Sequence, residues 1–280
     1  MFVRKVLVII LVFAIVSCKS SRVVSLEERN VLFIGNSLTY YNDMPQILQQ
    51  MLNETDSKIK VDQITNPGQS LSGHLSDIIV SRTENGISVR KKAEHELTET
   101  EKKIKGKSWD IIILQTGTVA VMIPENRRLK TAIAISEIKE LAINPKCKFI
   151  LFNTWPSKDE YPKQYCYPSQ FIDHAIKKEK CCSLIMENLE DEIKLINNSY
   201  DEISKELGLL NSDNGNKFYR VLKEYPEIEL YEDDSHPNKY GAFLNACIFY
   251  QLLTKRKPSD LKFIGEIEPK KADFLKRISE

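Results

Sequence analysis

Residues 31–39 read Val-Leu-Phe-Ile-Gly-Asn-Ser-Leu-Thr, and this stretch says most about how the chain folds. Four consecutive apolar residues predict a strand that is buried on both faces, as the strands of a parallel sheet are. The strand brings Ser37 to its carboxyl end, which is the end at which open α/β sheets bind their ligands. The stretch therefore predicts a parallel sheet with a candidate nucleophile at its edge.

Apolar runs that favour strands alternate with helical patterns along the rest of the chain. The predicted strands span residues 31–35, 58–65, 110–115 and 148–153, and the predicted helices span residues 44–52, 124–143, 186–207 and 240–253. This alternation predicts the α/β class, as a three-layer α/β/α sandwich with a mainly parallel, flavodoxin-like sheet. The chain has 280 residues, which suffices for one hydrophobic core, so we expect a single domain over residues 30–280.

The sequence also indicates which parts of the chain face solvent and which face the core. Residues 74–105 contain few apolar positions, and we expect a solvated helix face there. The core-facing positions of the helix over residues 124–143 are predicted to be Leu129, Ile133, Ile138 and Leu141. Arg127 and Arg128 are interpreted as surface charges.

The N-terminus has the pattern of an export signal. Two basic residues precede an apolar stretch over residues 6–16 that is too short to span a bilayer comfortably. The small residues before Cys18 are similar to a bacterial lipobox. This similarity implies a lipoprotein signal peptide over residues 1–17, a lipid on Cys18 and a tether over residues 18–29. An ordinary cleaved signal peptide and an uncleaved anchor are the alternatives, and either of them also exports the protein.

The chain is nearly neutral. Its net charge is +1, and removal of residues 1–17, which hold two basic residues and no acidic one, changes it to −1. Electrostatics therefore give no reason to expect nucleic acid or an anionic membrane surface as a partner. No spacing of Cys and His residues predicts a metal site, and no cofactor is expected.

The sequence holds six cysteines, which in an exported protein meet an oxidising environment. Cys166 can form a local disulfide with Cys181 or with Cys182, and the sequence leaves both pairings open. Cys147 and Cys247 lie in apolar stretches and are expected to be buried thiols. If the lipobox cysteine is lipidated an odd number remains, so at least one thiol stays unpaired.

A second informative stretch reads Asp-Asp-Ser-His-Pro over residues 233–237. Asp233 and His236 are three residues apart, so one short turn can bring the carboxylate against the imidazole. Together with Ser37 they supply the nucleophile, the base and the orienting acid of a serine hydrolase. Asp234 is the competing carboxylate, and a serine that only caps a helix is the alternative interpretation of Ser37.

These motifs resemble the SGNH/GDSL hydrolase superfamily, whose four sequence blocks occur in order over most of the mature chain. The Gly-Asn-Ser form of the first block, followed by Tyr-Tyr-Asn-Asp-Met-Pro, is similar to a group of bacterial exported SGNH proteins. The resemblance implies that Ser37 is the nucleophile, that His236 is the base and that Asp233 is the partner of His236. It also implies an oxyanion hole formed by the N–H of Ser37, the N–H of Gly68 and the side-chain amide of Gln115. Gln115 stands where the family usually has an asparagine, and a polar residue that only caps the end of a strand is the alternative interpretation.

Two further residues are candidates for substrate binding. His74 follows a segment rich in glycine and serine, and we expect it near the cleft. Trp155 follows a strand on the same rim, where it can stack against a sugar or line an acyl pocket. The alternatives are core packing for Trp155 and an ordinary Pro-Gly turn for Gly68. The other histidines, His95 and His174, lie in charged surroundings and are expected to be solvated.

The resemblance implies a serine esterase that works through an acyl-enzyme, and the export signal suggests deacetylation of glycans at the cell envelope. The expected partners are a small-molecule or glycan ester and, through the lipid on Cys18, a membrane. A lysophospholipase or thioesterase is the alternative within the class, and it would need an apolar channel beside Ser37. A glycan-binding lipoprotein with a catalytically weak site is the alternative from another class, and the replacement at Gln115 keeps it open.

Overall fold

A computed structural model of the chain describes residues 28–55, 57–83 and 86–280. The predicted signal peptide, Cys18 and most of the predicted tether lie outside these described residues. Within the described ranges, no helix is both long and apolar enough to cross a membrane.

The elements alternate between strands and helices. In chain order the strands are β1 (Arg29–Gly35), β2 (Ile59–Thr65), β3 (Ile78–Thr83), β4 (Gly86–Lys91), β5 (Ile111–Leu114), β6 (Lys148–Leu151), β7 (Cys166–Pro168), β8 (Lys180–Cys182) and β9 (Leu210–Asn211). The α-helices are α1 (Ser37–Tyr40), α2 (Met44–Asn53), α3 (Leu71–His74), α4 (Glu99–Lys105), α5 (Thr118–Met122), α6 (Pro124–Asn126), α7 (Ala132–Leu141), α8 (Leu189–Leu207), α9 (Asn214–Glu224), α10 (Lys239–Thr254) and α11 (Pro269–Ser279).

The central sheet has the strand order β2-β1-β5-β6-β9, and its strands pair in parallel. Counted along the chain, this is the 2-1-3-4-5 order of flavodoxin-like sheets. The predicted three-layer α/β/α sandwich is confirmed. The chain order reverses between β1 and β5, and crevices at such a point are where open α/β sheets bind ligands. The carboxyl ends of β1 and β5 carry the predicted site residues.

The residues of β1 alternate between the two sides of the sheet. Val31 and Phe33 pack with helices α2, α10 and α11 on one side, and Leu32 and Ile34 pack with α7 and α8 on the other. All four side chains are fully buried. A continuous apolar run is therefore what this position requires, because both faces of the strand are covered.

The charged segment over residues 74–105 differs from the prediction of a solvated helix. Strands β3 and β4 pair there as an antiparallel hairpin, and among the described residues of this segment only α4 is a helix of more than one turn. High charge indicates solvent exposure, but it does not distinguish an exposed hairpin from an exposed helix. The β-branched run Ile78-Ile79-Val80 is the local feature that favours strand.

The prediction that Arg127 is a surface charge is wrong. Its side chain is buried, and its guanidinium donates to the carbonyl of Val121 at 2.7 Å and to Ser199 Oγ at 3.0 Å, and pairs with Glu202 at 2.5 Å. Arg128 is exposed, as predicted.

The core-facing positions of the following helix were also assigned wrongly in part. Leu129 and Ile133 are 41% and 50% exposed, whereas Ile138 is fully buried. A π-helical turn over residues 127–131 precedes α7. Such a turn adds a residue to the helical repeat, so the buried face of the helix is shifted relative to a regular 3.6-residue pattern.

The connection between β6 and α8 is long and forms a small lobe over residues 156–188. Its hairpin of β7 and β8 is closed by a disulfide between Cys166 and Cys182, so the structure decides between the two pairings that the sequence left open. Cys181 is a buried free thiol, as is Cys247, whereas Cys147 is partly exposed.

Candidate active site

The turn after β1 presents Ser37 at the edge of the sheet. Asn36 caps the short helix α1 by accepting the N–H of Leu38 on its side-chain oxygen at 3.1 Å. Ser37 is the first residue of this helix, and its side chain is half-buried. The preceding Gly35 allows close packing, because a Cβ there would lie 2.5 Å from Gln115 Oε1 and 2.7 Å from Thr39 Oγ1.

Ser37, His236 and Asp233 form one continuous chain of hydrogen bonds. The Oγ of Ser37 lies 2.8 Å from His236 Nε2, and His236 Nδ1 lies 2.6 Å from Asp233 Oδ2. Because a carboxylate only accepts, Nδ1 carries the imidazole proton and Nε2 is left as an acceptor for the Ser37 hydroxyl. The two distant sequence motifs therefore meet at hydrogen-bonding distance.

The carboxylate of Asp233 also organises the turn that carries His236. Its Oδ1 accepts the N–H of His236 and the N–H of Ser235, both at 2.8 Å. These backbone hydrogen bonds, with the imidazole, lower the pKa of Asp233 to about 2. Asp233 is therefore an anion at neutral pH, whereas the competing Asp234 makes no hydrogen bond to the imidazole among the described residues.

The residues after His236 anchor the turn to the start of α10. Asn238 accepts the N–H groups of Tyr240 and Gly241, and its amide donates to the carbonyls of Glu229 and Tyr231. A Cβ at Gly241 would lie 2.4 Å from the carbonyl oxygen of Leu230. The hydrogen bonds of Asn238 and the absence of a side chain at Gly241 thus let the start of α10 pack closely against the segment before Asp233.

Ser37 and His236 line a cavity of about 370 Å³. Its apolar lining includes Leu38, Val119, Met122 and Trp155. Its polar lining includes Ser157, Asp159, Tyr165, Glu192 and Asp234. The cavity is therefore amphipathic, with the candidate nucleophile in its wall.

Two backbone amides in the cavity wall are available to an anion. The N–H groups of Ser37 and Gly68 have no hydrogen-bond acceptor among the described residues, and both residues line the cavity. Gly68 has a φ of +64°, which glycine adopts without strain. No protein atom lies within 4 Å of a Cβ built there, so the backbone conformation rather than crowding requires glycine.

The structure does not bring Gln115 to the cavity, which corrects its predicted place in the oxyanion hole. Its side chain is fully buried and is not part of the cavity lining. Its Oε1 accepts the N–H of Asn36 at 2.8 Å and the hydroxyl of Thr39 at 2.9 Å, and its Nε2 donates to the carbonyl of Thr116 at 2.7 Å. Gln115 therefore holds the turn beneath Ser37.

Solved structures share this architecture at low sequence identity. A DUF4886 family protein from Bacteroides uniformis is 15% identical with a TM-score of 0.67, over 90% of this chain and 93% of that one. A candidate SGNH hydrolase from Slackia heliotrinireducens is 18% identical with a TM-score of 0.53, over 81% of this chain and all of that one.

This chain has the SGNH hydrolase fold. An acetylxylan esterase from Geobacillus stearothermophilus also shares it, with 15% identity and a TM-score of 0.51, over 82% of this chain and 96% of that one. No protein-family model and no curated protein sequence matches the chain. The resemblance inferred from the motifs is thus confirmed at the level of the SGNH fold.

His74 does not line the cavity of this SGNH fold, contrary to its predicted role in substrate binding. It is buried, with Nε2 2.9 Å from the carbonyl oxygen of Gly35 and Nδ1 2.8 Å from Thr100 Oγ1. Because the carbonyl only accepts, Nε2 carries the proton and Nδ1 accepts from the Thr100 hydroxyl. Burial lowers the pKa of His74 below 6.5. His74 is therefore a neutral support for the end of β1.

Trp155 lines the cavity but is also part of the core. Only 2% of its surface is exposed, and its ring stacks on Phe218 with centroids 4.1 Å apart. Its indole N–H donates to the carbonyl of Ser235 at 2.9 Å. Trp155 thus connects the sheet to the turn that carries His236. Both interpretations that the sequence left open, a place at the cleft and packing in the core, describe part of its environment.

Several cavity residues were missed because they come from the lobe over residues 156–188 and from α8. Ser157, Asp159 and Tyr165 lie in a segment with no regular pattern, and Glu192 lies in the first turn of α8 beside Glu190 and Asp191. Glu192 is 1% exposed. The residues next to Glu192 in the sequence do not indicate that it is buried, because the cation that balances its charge is Lys163, which lies in the lobe.

Proposed function

We propose that this protein is a serine esterase of the SGNH type that removes small acyl groups, acetyl above all, from glycans. The observation that carries the proposal is the chain of hydrogen bonds from Ser37 through His236 to Asp233. Ser37 and His236 line a cavity whose wall also holds two backbone N–H groups without an acceptor among the described residues. A helix-capping serine alone would not require an imidazole and an ionised carboxylate in line with its hydroxyl.

Acylation follows from the direction of these hydrogen bonds. His236 Nε2 takes the proton of Ser37 as Oγ attacks the ester carbonyl carbon. The carbonyl oxygen becomes an oxyanion, which the N–H groups of Ser37 and Gly68 can stabilise. As the tetrahedral intermediate collapses, the C–O bond to the alcohol breaks, and His236 gives its proton to the leaving oxygen.

Deacylation repeats the sequence with water as the nucleophile. His236 takes a proton from water, the resulting tetrahedral intermediate expels Ser37 Oγ, and the proton returns to that oxygen. The carboxylate of Asp233 stabilises the imidazolium that forms in each half-reaction. The acid is released and Ser37 is regenerated.

The lining of the cavity supports a small acyl group. The apolar part of the lining beside Ser37 comes from Leu38, Val119 and Met122, of which Leu38 and Met122 are less than 10% exposed. A cavity of about 370 Å³ lies at the lower end of the range for small-ligand sites, and it must also hold part of the alcohol. The acetylxylan esterase with the same fold is a further reason to choose acetyl, and the export signal predicted from the sequence is the reason to propose a substrate at the cell envelope.

The test is a comparison of acyl chains with the full-length chain purified in detergent. Hydrolysis of p-nitrophenyl acetate, p-nitrophenyl octanoate and acetylated xylo-oligosaccharide is measured for the unmodified protein, for Ser37→Ala and for Ser259→Ala. Ser259 is an exposed serine remote in sequence from every motif and serves as the matched control. We expect acetate to be hydrolysed faster than octanoate, and Ser37→Ala to lower the rates at least about 10³-fold.

The other outcomes separate the alternatives. Equal rates for Ser37→Ala and the unmodified protein would contradict the esterase proposal. A preference for octanoate would favour a lipid-directed enzyme. Binding of the oligosaccharide without Ser37-dependent turnover would favour a glycan-binding lipoprotein.

A further inference from the structure

The cavity has a polar wall that the proposed mechanism does not use. We define the polar wall as Ser157, Asp159, Tyr165, Tyr167 and Glu192, all of which line the cavity that also contains Ser37. Four of these residues come from the lobe over residues 156–188, and Glu192 comes from the first turn of α8.

Hydrogen bonds fix the exposed part of the polar wall. The Oγ of Ser157 donates to Asp159 Oδ2 at 2.8 Å and lies 2.8 Å from the hydroxyl of Tyr165. The Tyr165 hydroxyl also donates to Asp159, and this bond lowers the pKa of the Asp159 carboxyl. Asp159 Oδ1 accepts no hydrogen bond from the part of the chain that the structure describes, so it is available to a ligand hydroxyl.

A buried ion pair supports the wall from behind. Lys163 Nζ lies 2.7 Å from Glu192 Oε2, and their side chains are 7% and 1% exposed. The hydroxyl of Tyr161 donates to Glu192 at 2.7 Å, and Lys163 also donates to Ser157 Oγ at 2.9 Å. With the disulfide between Cys166 and Cys182, these bonds make the wall a preorganised surface.

The charge of the cavity is one-sided. Asp159, Glu192 and Asp234 line it, and its lining contains no lysine or arginine among the described residues. The nearest cation of the network, Lys163, forms its salt bridge with Glu192, and within the described ranges neither Asp159 nor Asp234 forms a salt bridge. Like charges in such a cleft repel an anionic ligand and suppress its binding.

We propose that the polar wall binds the alcohol part of the ester and selects a neutral sugar over a sugar that carries a carboxylate or a phosphate. The proposal rests on the esterase function proposed above and adds the class of its substrate. Sugar hydroxyls can donate to Asp159 and exchange hydrogen bonds with Ser157 and Tyr165. The rings of Tyr165 and Tyr167 offer aromatic faces to the C–H side of a pyranose.

The test uses two substrates that differ in a single charge. Rates with mono-acetylated methyl β-glucoside and mono-acetylated methyl β-glucuronide are measured with the full-length chain, and p-nitrophenyl acetate reports the chemistry in the same samples. We expect kcat/KM for the glucoside to exceed that for the glucuronide by about tenfold or more at low ionic strength, because the acidic lining repels the carboxylate of the glucuronide. A tenfold ratio corresponds to about 1.4 kcal/mol. High salt should narrow the difference.

Variants of the polar wall test which residues carry the selection. Asp159→Asn should narrow the glucoside-to-glucuronide ratio at least about threefold, and Tyr165→Phe should raise KM for the glucoside more than it lowers kcat. The matched controls are Asp260→Asn and Tyr219→Phe, at partly or fully exposed positions outside the cavity, and both should keep the ratio of the unmodified protein.

The outcomes distinguish this proposal from the proposed function. If p-nitrophenyl acetate is hydrolysed in a Ser37-dependent way but the glucuronide is used as well as the glucoside, the polar wall proposal is overturned and the esterase stands. An unchanged ratio in Asp159→Asn also overturns it. If no Ser37-dependent hydrolysis of p-nitrophenyl acetate occurs, the esterase and the polar wall proposal are both overturned.

Discussion

The phenol ring of Tyr41 lies flat against the imidazole of His236, with centroids 4.1 Å apart and ring planes inclined by 16°. Tyr41 follows Ser37 by four residues, so the segment that carries the candidate nucleophile also covers one face of the candidate base. The next residue, Asn42, donates to Glu232 Oε2 and to the carbonyl of Pro237, both at 2.9 Å. The Tyr-Tyr-Asn-Asp segment thus fastens the turn after β1 to the turn that carries His236.

Removal of the Tyr41 ring should lower turnover. An aromatic face stabilises an imidazolium by about 0.5–1 kcal/mol at a partly exposed site, so Tyr41→Leu should lower kcat about 2- to 5-fold with little change in KM. Tyr41→Phe keeps the ring and should retain most of the activity. The measurement is the rate of p-nitrophenyl acetate hydrolysis for both variants, and equal losses in the two would show that the ring face is not what matters.

Asp233→Asn should impair catalysis through the charge rather than through the turn. The amide oxygen can still accept the N–H groups of Ser235 and His236, but it cannot stabilise an imidazolium, and we expect kcat to fall about 10²–10⁴-fold. The loss should exceed that in Asp234→Asn, and circular dichroism should show both variants folded. Equal losses would contradict the assignment of Asp233.

The lowered pKa of Asp233 also fixes the sign of a pH effect. The folded-state pKa is about 2, below the ordinary value of 3.8. The interactions of the carboxylate therefore add stability that is present above pH 3.8 and is lost as the pH falls through about 2. Protonation of Asp233 is consequently not expected to limit activity in mildly acidic buffers, and a rate profile that follows a group titrating near pH 4 in the unmodified protein but not in Asp233→Asn would contradict this.

Gln115→Ala should act first on stability. The substitution leaves the buried N–H of Asn36 and the buried hydroxyl of Thr39 without their acceptor, which typically costs about 1–3 kcal/mol. The measurement is the free energy of unfolding in urea, with the exposed Gln170→Ala as the matched control. A stability equal to that of the unmodified protein, together with a loss of turnover, would return Gln115 to the oxyanion hole.

His74 should make the folded state sensitive to mild acid. Burial lowers its folded-state pKa below 6.5, so the unfolded chain binds a proton more readily than the folded chain does. The stability that depends on neutral His74 is fully present above pH 6.5 and is lost as the pH falls through the lower folded-state value.

The comparison of two variants isolates this effect. Urea unfolding at pH 7.5 and at pH 5 should show a smaller loss of stability in His74→Gln than in the unmodified protein. His174→Gln, at an exposed position, should lose as much stability as the unmodified protein does. If all three proteins lose the same amount, His74 is not the titrating group.

The fold could be predicted from the sequence because its strands are unusually explicit. The apolar runs at β1, β5 and β6 are covered on both faces, and a strand in that position tolerates no polar residue inside it. The parallel pairing of the strands followed from their alternation with helices, whereas the two-residue edge strand β9 was not predicted. The hairpin of β3 and β4 could not be predicted in the same way, because it is paired outside the central sheet. Its apolar residues Ile78 and Val89 are 44% and 62% exposed, so a pattern of buried positions gives no signal there.

The candidate site could be predicted where it depends on local spacing and not where it depends on long-range packing. Asp233 and His236 contact each other within one turn, so three residues of separation were enough. The positions of Gln115 and His74 depend on how closely the end of β1 packs on its neighbours. Both side chains are polar and both follow strand or loop signals typical of a site, yet they satisfy buried backbone and hydroxyl groups.

The polar wall illustrates a further reason. Glu192 is buried because Lys163, Tyr161 and the N–H of Ser157 meet its carboxylate. In the sequence these partners are about thirty residues away, in a lobe without repeating pattern. A buried ion pair of this kind becomes visible only when the chain is folded.

The central claim is that Ser37 is a nucleophile activated by His236, and covalent labelling with a fluorophosphonate tests it most directly. Mass spectrometry of the digested protein should find one phosphonyl group on the peptide that contains Ser37, none in Ser37→Ala, and much slower labelling in His236→Ala. Failure of the unmodified protein to react, or reaction of Ser37→Ala at the same rate, would contradict the account.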